Sequence, residues 1–306
     1  MAYKVSIVIR ALNEAEHLPA LFEGIQSQSR QPDEVILVDS GSTDNTKSLS
    51  ASYGASIVEI SPDEFTFGRS LNIGCEAATG DLLVFASAHV YPLDPYWLEN
   101  LTSPFEQDSS LALVYGRQMG DERSSFSEAE IMRRWFPLQR NTNQDHPFCN
   151  NANCAVRKSI WKENPYDESI TGLEDMAWAK QVLNLGYRVW YEPDAAIVHI
   201  HEESISQVTH RYRREAIAHK MIFGHQKLGM FEAIGLFVAN VIRDYLAAIP
   251  RKKLLRNIFT IPKFRFAQFR GAWLGFRQHQ DPTAELKRRF YYPKGINLKG
   301  NLKLLD

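Results

Sequence analysis

Val5-Ser6-Ile7-Val8-Ile9-Arg10-Ala11-Leu12-Asn13-Glu14 and Glu34-Val35-Ile36-Leu37-Val38-Asp39-Ser40-Gly41-Ser42-Thr43 decide the fold. Each is a short apolar run rich in β-branched residues that stops abruptly in polar ones, the pattern of a strand buried on both faces. Between them, Leu18, Leu21, Phe22 and Ile25 recur at helical spacing within Glu16–Gln28. A strand, a helix and a second buried strand make a parallel crossover unit, because parallel neighbours need a long connection. After the polar turn at 40–45, Asp44 or Ser42 is expected to cap a helix running to about Ser52.

The same rhythm extends outward. Ala55–Ile60 reads as a third strand, Ser70–Ala78 as a helix closed by Gly80, and Asp81–Ala86 as a fourth strand. The class is therefore α/β, with a doubly wound parallel sheet and a ligand crevice at the carboxyl ends of its strands. Leu111–Arg117 is a further strand, followed by a polar, irregular stretch to about Ile160. Glu174–Leu185 is a helix ending at Gly186, and Tyr187–Tyr191 and Ala195–His199 are strands. After about residue 204 strand signals vanish, and Gln207–Lys227 and Met230–Ile249 are helical. The apolar segment Ile234–Ile242 is bounded by Glu232 and Arg243. It falls well short of the roughly 20 residues that cross a bilayer, and burial is the reading preferred over a place on a membrane surface.

With 306 residues, 44% hydrophobic and 23% charged, the composition is that of a globular protein with a full core. Three cysteines, Cys75, Cys149 and Cys154, form no CxxC pair, which disfavours a disulfide framework or a structural zinc site and suits a reducing cytoplasm. No signal peptide is visible. The net charge of −1 hides an asymmetry: residues 251–306 carry 14 Lys and Arg against 3 Asp and Glu, a balance of +11, and the remainder carries −12. A basic tail interleaved with aromatics suits an anionic partner, phospholipid or a phosphate-bearing acceptor.

Four segments carry a family resemblance: VSIVIRALNEAEHLPALFEGIQSQ, PDEVILVDSGSTDNT, GRSLNIGCEAATGDLLVFASAH and NANCAVRKSIWKENPYDESITGLEDMAWAKQVLNLGYRVWYEP. In order and spacing, over about residues 4–205, they resemble the family-2 glycosyltransferases, which share the GT-A fold. The resemblance implies a catalytic domain at 1–205 and a helical, basic C-terminal region at 206–306. It implies a donor site for a nucleoside-diphosphate sugar in which Asp39 binds the base and Arg10, Ala11 and Glu14 form the opposite wall. Arg69 and Asn72 match nucleotide contacts, and Asn153 lies in the loop that shapes the sugar pocket. Read from the residues themselves, Arg213, with Arg211 and Arg214, either clamps the departing diphosphate or forms an exposed helix face.

The family's usual Asp-x-Asp metal motif reads Ser87-Ala88-His89 here. His89 is a good ligand for a transition ion and Ser87 a poor one, so a divalent metal is expected, Mn²⁺ in preference to Mg²⁺. His199 and His201 fall where the family places a later metal-binding histidine, and their i, i+2 spacing puts both on one face of a strand. Glu174 and Asp175 match the acceptor-site pair. Asp175 is the expected general base of an inverting transfer, with Glu174 as positioning group or runner-up. The implied acceptor is a glycan or lipid-linked saccharide, in surface polysaccharide synthesis, with peripheral membrane contact and no nucleic acid. Resemblance to rhamnosyltransferase-like bacterial members is weaker, carried by the histidines and Arg211-Tyr212-Arg213-Arg214-Glu215. The rival readings are a sugar nucleotidyltransferase, which needs a Gly-rich basic loop where Ala11-Leu12-Asn13-Glu14 stands, and an inactive carbohydrate-binding relative.

Overall fold

A computed structural model of the chain describes residues 3–224, 226–278, 286, 290 and 291. Strand β1 (Val5–Ala11) lies between β2 (Glu34–Asp39) and, in order of the chain, β4 (Leu82–Ser87), with β3 (Ser56–Glu59) outside β2; all four run parallel. Helices α1 (Leu18–Gln26), α2 (Thr46–Ser52) and α3 (Phe67–Ala77) make the crossovers. Strand period divides the core in two: Val5, Ile7, Ile9, Leu82 and Val84 face one layer, and Val8, Leu83 and Phe85 the other. Register aligns Ala11 with Asp39 and Arg10 with Ser87, so these polar ends share one edge of the sheet.

The second half departs from a parallel sheet. It contains β5 (Val90–Pro92), helices α4 (Trp97–Thr102) and α5 (Pro104–Gln107), then β6 (Leu111–Met119). The stretch read as irregular holds α6 (Phe126–Trp135), β7 (Asn153–Arg157) and α7 (Lys158–Glu163). Strand β7 lies antiparallel to both β4 and β6, in the strand order β3-β2-β1-β4-β7-β6-β8-β5. After α8 (Glu174–Asn184), the two expected strands merge into one, β8 (Arg188–His199), parallel to β6. A register shift between Gly116 and Gln118 absorbs the interruption at Pro193.

Two of three local expectations change. Gly80 is not left-handed; a Cβ there would lie 2.6 Å from Ser6 Oγ, so its glycine is a matter of room. Gly186, at φ 87°, does close α8 in the left-handed conformation. Neither Ser42 nor Asp44 is the N-cap of α2, yet Asp44 Oδ1 accepts the Thr46 N–H at 2.9 Å and so meets the same need.

The C-terminal helices are α9 (Ile205–Phe223), α10 (Met230–Ala248), α11 (Leu254–Asn257) and α12 (Thr260–Phe276). Gly271 and Gly275 let α12 lie against the backbone of α9 at Thr209 and Arg213. The buried pair Arg265–Asp244, at 2.7 Å, joins α12 to α10, and Ser127 of α6 donates to the same carboxylate at 2.7 Å. The expectation of burial for Ile234–Ile242 fails: Ile234 and Ile242 are 51% and 53% exposed, and α10 turns its small residues Ala233 and Ala248 inward. The basic tail beyond 278 lies outside the described residues apart from 286, 290 and 291.

Candidate active site at the strand ends

The tips of β1 and β2 are clipped together. The Ala11 carbonyl accepts from Ser40 N and Ser40 Oγ, both at 3.1 Å. Asn13 takes a left-handed φ of 56°, which asparagine tolerates better than most residues. Its Oδ1 then accepts the N–H groups of Thr43 (2.8 Å) and Asp44 (3.3 Å), and its own N–H donates to Ser42 Oγ at 2.9 Å. Asp39 is fully buried. Its Oδ2 accepts from Gly41 N (3.1 Å) and Ser42 N (3.0 Å), while Oδ1 has no partner in the protein. A buried acceptor left unpaired costs about 1–3 kcal/mol, so this oxygen is suited to a ligand's N–H or O–H.

Three histidines converge beside this wall. The end of β4 supplies His89, and the end of β8 supplies His199 with His201 just beyond it. Their nearest ring nitrogens all lie within 4.8 Å of one another. Each Nδ1 meets an acceptor: Glu14 Oε1 for His89 (3.1 Å), Gln118 Oε1 for His199 (2.7 Å) and Glu128 Oε1 for His201 (3.0 Å). In the neutral rings these acceptors fix the proton on Nδ1 and leave Nε2 with a lone pair. Ser87 Oγ donates to His89 Nε2 at 3.1 Å, and the Nε2 atoms of His199 and His201 face each other at 3.1 Å. Burial, reinforced by His201 and His89, holds His199 well below the ordinary imidazole range, so this ring is neutral at pH 7.

Two lone pairs facing at that distance suit a cation shared between them. Imidazoles bound to one transition ion at about 2.1 Å have nitrogens about 3.0–3.4 Å apart, so the residues fit a divalent metal. Acceptors behind each ring are the usual outer support of a metal-binding histidine. Glu128 is held ionised: burial would raise its carboxyl, but the Arg211 guanidinium and His201 outweigh that and bring it to about 2.

The acid pair stands at the start of α8. Leu173, at the N-cap, has φ 56°, an uncommon conformation for leucine and one found where a site holds local strain. Glu174 is buried and paired with Arg10 Nη1 at 3.1 Å. Asp175 Oδ2 accepts from Asn151 N at 3.1 Å, and Oδ1 from Met176 N at 2.8 Å. Burial and the neighbouring Glu174 charge raise the Asp175 carboxyl to about 7, against the pull of those two N–H groups. The 150–153 loop links this base to the histidines, since Ala152 O accepts from Ser87 N at 3.3 Å. Phe67 lies between Arg10 (5.4 Å) and Arg214 (4.8 Å), so two cations border the acid pair.

Other expected contacts are committed to the scaffold. Asn72 donates to Tyr166 O and Glu168 Oε1 and accepts from Trp161 Nε1 and Tyr166 N. Asn153 donates to Arg117 O and Ala195 O and accepts from Trp97 Nε1. Arg69 pairs with Glu168 (3.5 Å) and Glu64 (3.8 Å). Arg213 is bound to Gln278 at 2.7 Å, Arg211 is drawn to Glu128 and Glu203, and Arg214 is the arginine of this run beside the acid pair. Gln118 and Glu128, which hold two of the histidines, were not anticipated.

The geometry has relatives. The chain is 28% identical over 209 residues to the O-antigen chain rhamnosyltransferase WbaN of Salmonella anatum, covering 65% of this chain and 66% of that protein. It is 25% identical over 229 residues to the O-antigen chain rhamnosyltransferase RfbN of Salmonella typhimurium, covering 71% and 72%. The match therefore spans about two thirds of the length of these relatives. Among solved structures, the mannosyltransferase PcManGT of Pyrobaculum calidifontis, in complex with GDP-Man and Mn²⁺, superposes with a TM-score of 0.62 at 18% identity, covering 92% of this chain and 89% of that one. Glucosyl-3-phosphoglycerate synthase of Mycobacterium tuberculosis, in complex with Mn²⁺, UDP and glucosyl-3-phosphoglycerate, gives 0.54 at 18%, covering 74% and 82%. At that identity the likeness shows the fold, α/β with a mostly parallel sheet as in GT-A proteins. The family model described as Glycosyl transferase family 2 matches residues 6–164, more than half of the 306, and the chain belongs to that family.

Proposed function

We propose that this glycosyltransferase moves a sugar from a nucleoside-diphosphate donor to an acceptor hydroxyl with inversion, and that the three histidines hold a divalent ion for the reaction. The observation that carries the reading is the convergence of three histidine ring nitrogens within 4.8 Å of one another, at strand ends that also carry a buried, unpartnered Asp39 oxygen and a carboxyl raised to about 7. Bound there, Mn²⁺ would neutralise diphosphate charge, and imidazole ligands favour it over Mg²⁺.

The residues divide the remaining work. Asp39 receives hydrogen bonds from the base or ribose through Oδ1. Arg10 and Arg214 border the acid pair as fixed positive charge. Asp175 takes the acceptor hydroxyl's proton as that oxygen bonds to the anomeric carbon and the bond to the diphosphate breaks. A base with a value near neutral pH is matched to that step. Likeness to the two Salmonella enzymes supports a deoxyhexose donor and a glycan or lipid-linked acceptor of surface polysaccharide. The same proposal assigns catalysis to 1–205, acceptor approach to 206–306, and a cytoplasmic setting at the inner membrane face.

A panel of UDP-, GDP- and dTDP-sugars, each with and without Mn²⁺, tests it. The correct donor at 100 times its Kd should stabilise the fold by about 2.7 kcal/mol, more with Mn²⁺ than without, and should then support transfer. No stabilisation by any member, with full activity in excess EDTA on a donor found otherwise, would refute the metal assignment.

A further inference from the structure

We propose that the outer face of α10, continued by α11 and the start of α12, docks on an anionic lipid bilayer. Phe231, Ile234, Val238, Ile242, Leu246 and Ile249 recur at steps of three and four residues and are all exposed, from 45% to 83%. Such spacing sets them on one side of the helix, a stripe about 27 Å long at 1.5 Å per residue. Leu255 and Phe259 extend it and are 87% and 75% exposed. An apolar face this large needs a partner.

Charge selects the partner. Arg243, Lys252, Lys253, Arg256, Lys263 and Arg270 are exposed, and none forms an ion pair among the described residues. Within residues 226–278 the acids are Glu232, which is exposed, and Asp244, which is buried against Arg265. A second copy of the chain would bring cations against cations across a two-fold interface, whereas an anionic bilayer takes the apolar stripe and the surrounding cations together. Between α10 and α12 the face also holds a cavity of 420 Å³ lined by Met230, Ile234, Phe237, Phe266 and Trp273, with Arg270 as its cation, which suits an acyl chain under an anionic headgroup.

The placement bears on the site. Asp244 of α10 holds Ser127, whose neighbour Glu128 holds His201, so the docking helix is fixed one residue from the histidine cluster. This deepens the proposed function by naming the surface that approaches a lipid-linked acceptor. Vesicle binding needs no nucleotide sugar, so failure of docking and failure of the transfer reading are separable.

The test is co-sedimentation of the full chain with phosphatidylcholine vesicles, with and without phosphatidylglycerol, at low and high salt. Binding should appear with the anionic lipid, be at least tenfold weaker on the neutral one, and weaken in high salt. Ile234→Glu/Ile242→Glu should reduce it at least tenfold with an unchanged Tm. If that variant does not fold, Lys252→Glu/Lys253→Glu/Arg256→Glu should lower binding to anionic vesicles alone. Equal, weak binding to both vesicle types, or a dimer by light scattering that the variant splits without any vesicle binding, would overturn the proposal.

Discussion

The proposed nucleotide wall and the histidine cluster lie at the ends of neighbouring strands but are assembled in different ways. The wall's clip is local: residues 10–14 and 39–46 hold each other through Asn13, Ser40 and Ser42, while Glu14 reaches out to His89 and Arg10 to Glu174. The cluster is assembled from β4, β6, α6 and β8, with Glu128 and His201 separated by 73 residues. A wall clipped at Asn13, Ser40 and Ser42 should keep its shape when supports of the cluster other than Glu14 are damaged. A cluster with supports this distant should lose its ion when any one is removed.

The largest effect expected lies on the acid pair, which touches the wall through Arg10–Glu174. Asp175→Asn should lower transfer by about 10²–10⁴-fold with donor binding nearly intact, measured by initial rates and by calorimetry. A loss smaller than twofold would move the base to Glu174. In the wild type, turnover should climb as pH rises through about 7, where Asp175 loses its proton, and level off above it.

Glu128→Gln sharpens the comparison directly. Removing the acceptor charge behind His201 should weaken Mn²⁺ binding by about 10–100-fold, with metal-free nucleoside diphosphate affinity unchanged. A parallel loss of nucleotide affinity would mean that wall and cluster are one unit. The converse variant, Asn13→Ala, removes the acceptor of two N–H groups on the exposed turn at Thr43 and Asp44. It should cost about 0.5–1.5 kcal/mol in denaturant melts and weaken the nucleotide while sparing Mn²⁺.

A further effect is a stability difference with a definite sign. The Asp175 carboxyl ordinarily titrates near 3.8 and in the fold near about 7. Between those values the unfolded chain has released a proton that the native chain still holds, so this group's contribution to stability falls as pH rises. Above about 7 the penalty is complete. Asp175→Asn has no proton to lose, so its Tm relative to wild type should increase from pH 4 to 7 and then stay flat; a constant difference would show that the carboxyl is not raised.

How much of this was legible follows from the same contrast. Strands β1 and β2 announce themselves because they are buried on both faces and end at polar tips, and Asp39 stands at such a tip. Strand β7 does not: Asn153-Cys154-Ala155-Val156 is short, has a buried amide, and acquires its direction from β4 and β6 on either side. Glu128 sits three residues after Ser125, a spacing that reads as a helix capping box. Only the Glu128 N–H fulfils it, donating to Ser125 Oγ at 3.2 Å, while the carboxylate turns to His201 and Arg211. Helix α10 was misread because its apolar side chains suggested a core position, whereas its packed face is made of small residues and one buried aspartate.

The central claim is that three imidazoles from two strand ends bind one divalent ion, and equilibrium titration of Mn²⁺ into wild type and His199→Ala tests it most directly. The account predicts one ion per chain in the wild type and at least a tenfold loss of affinity in the variant, with circular dichroism unchanged. Absence of Mn²⁺ binding by the folded wild type, or equal affinity in the two proteins, would contradict it.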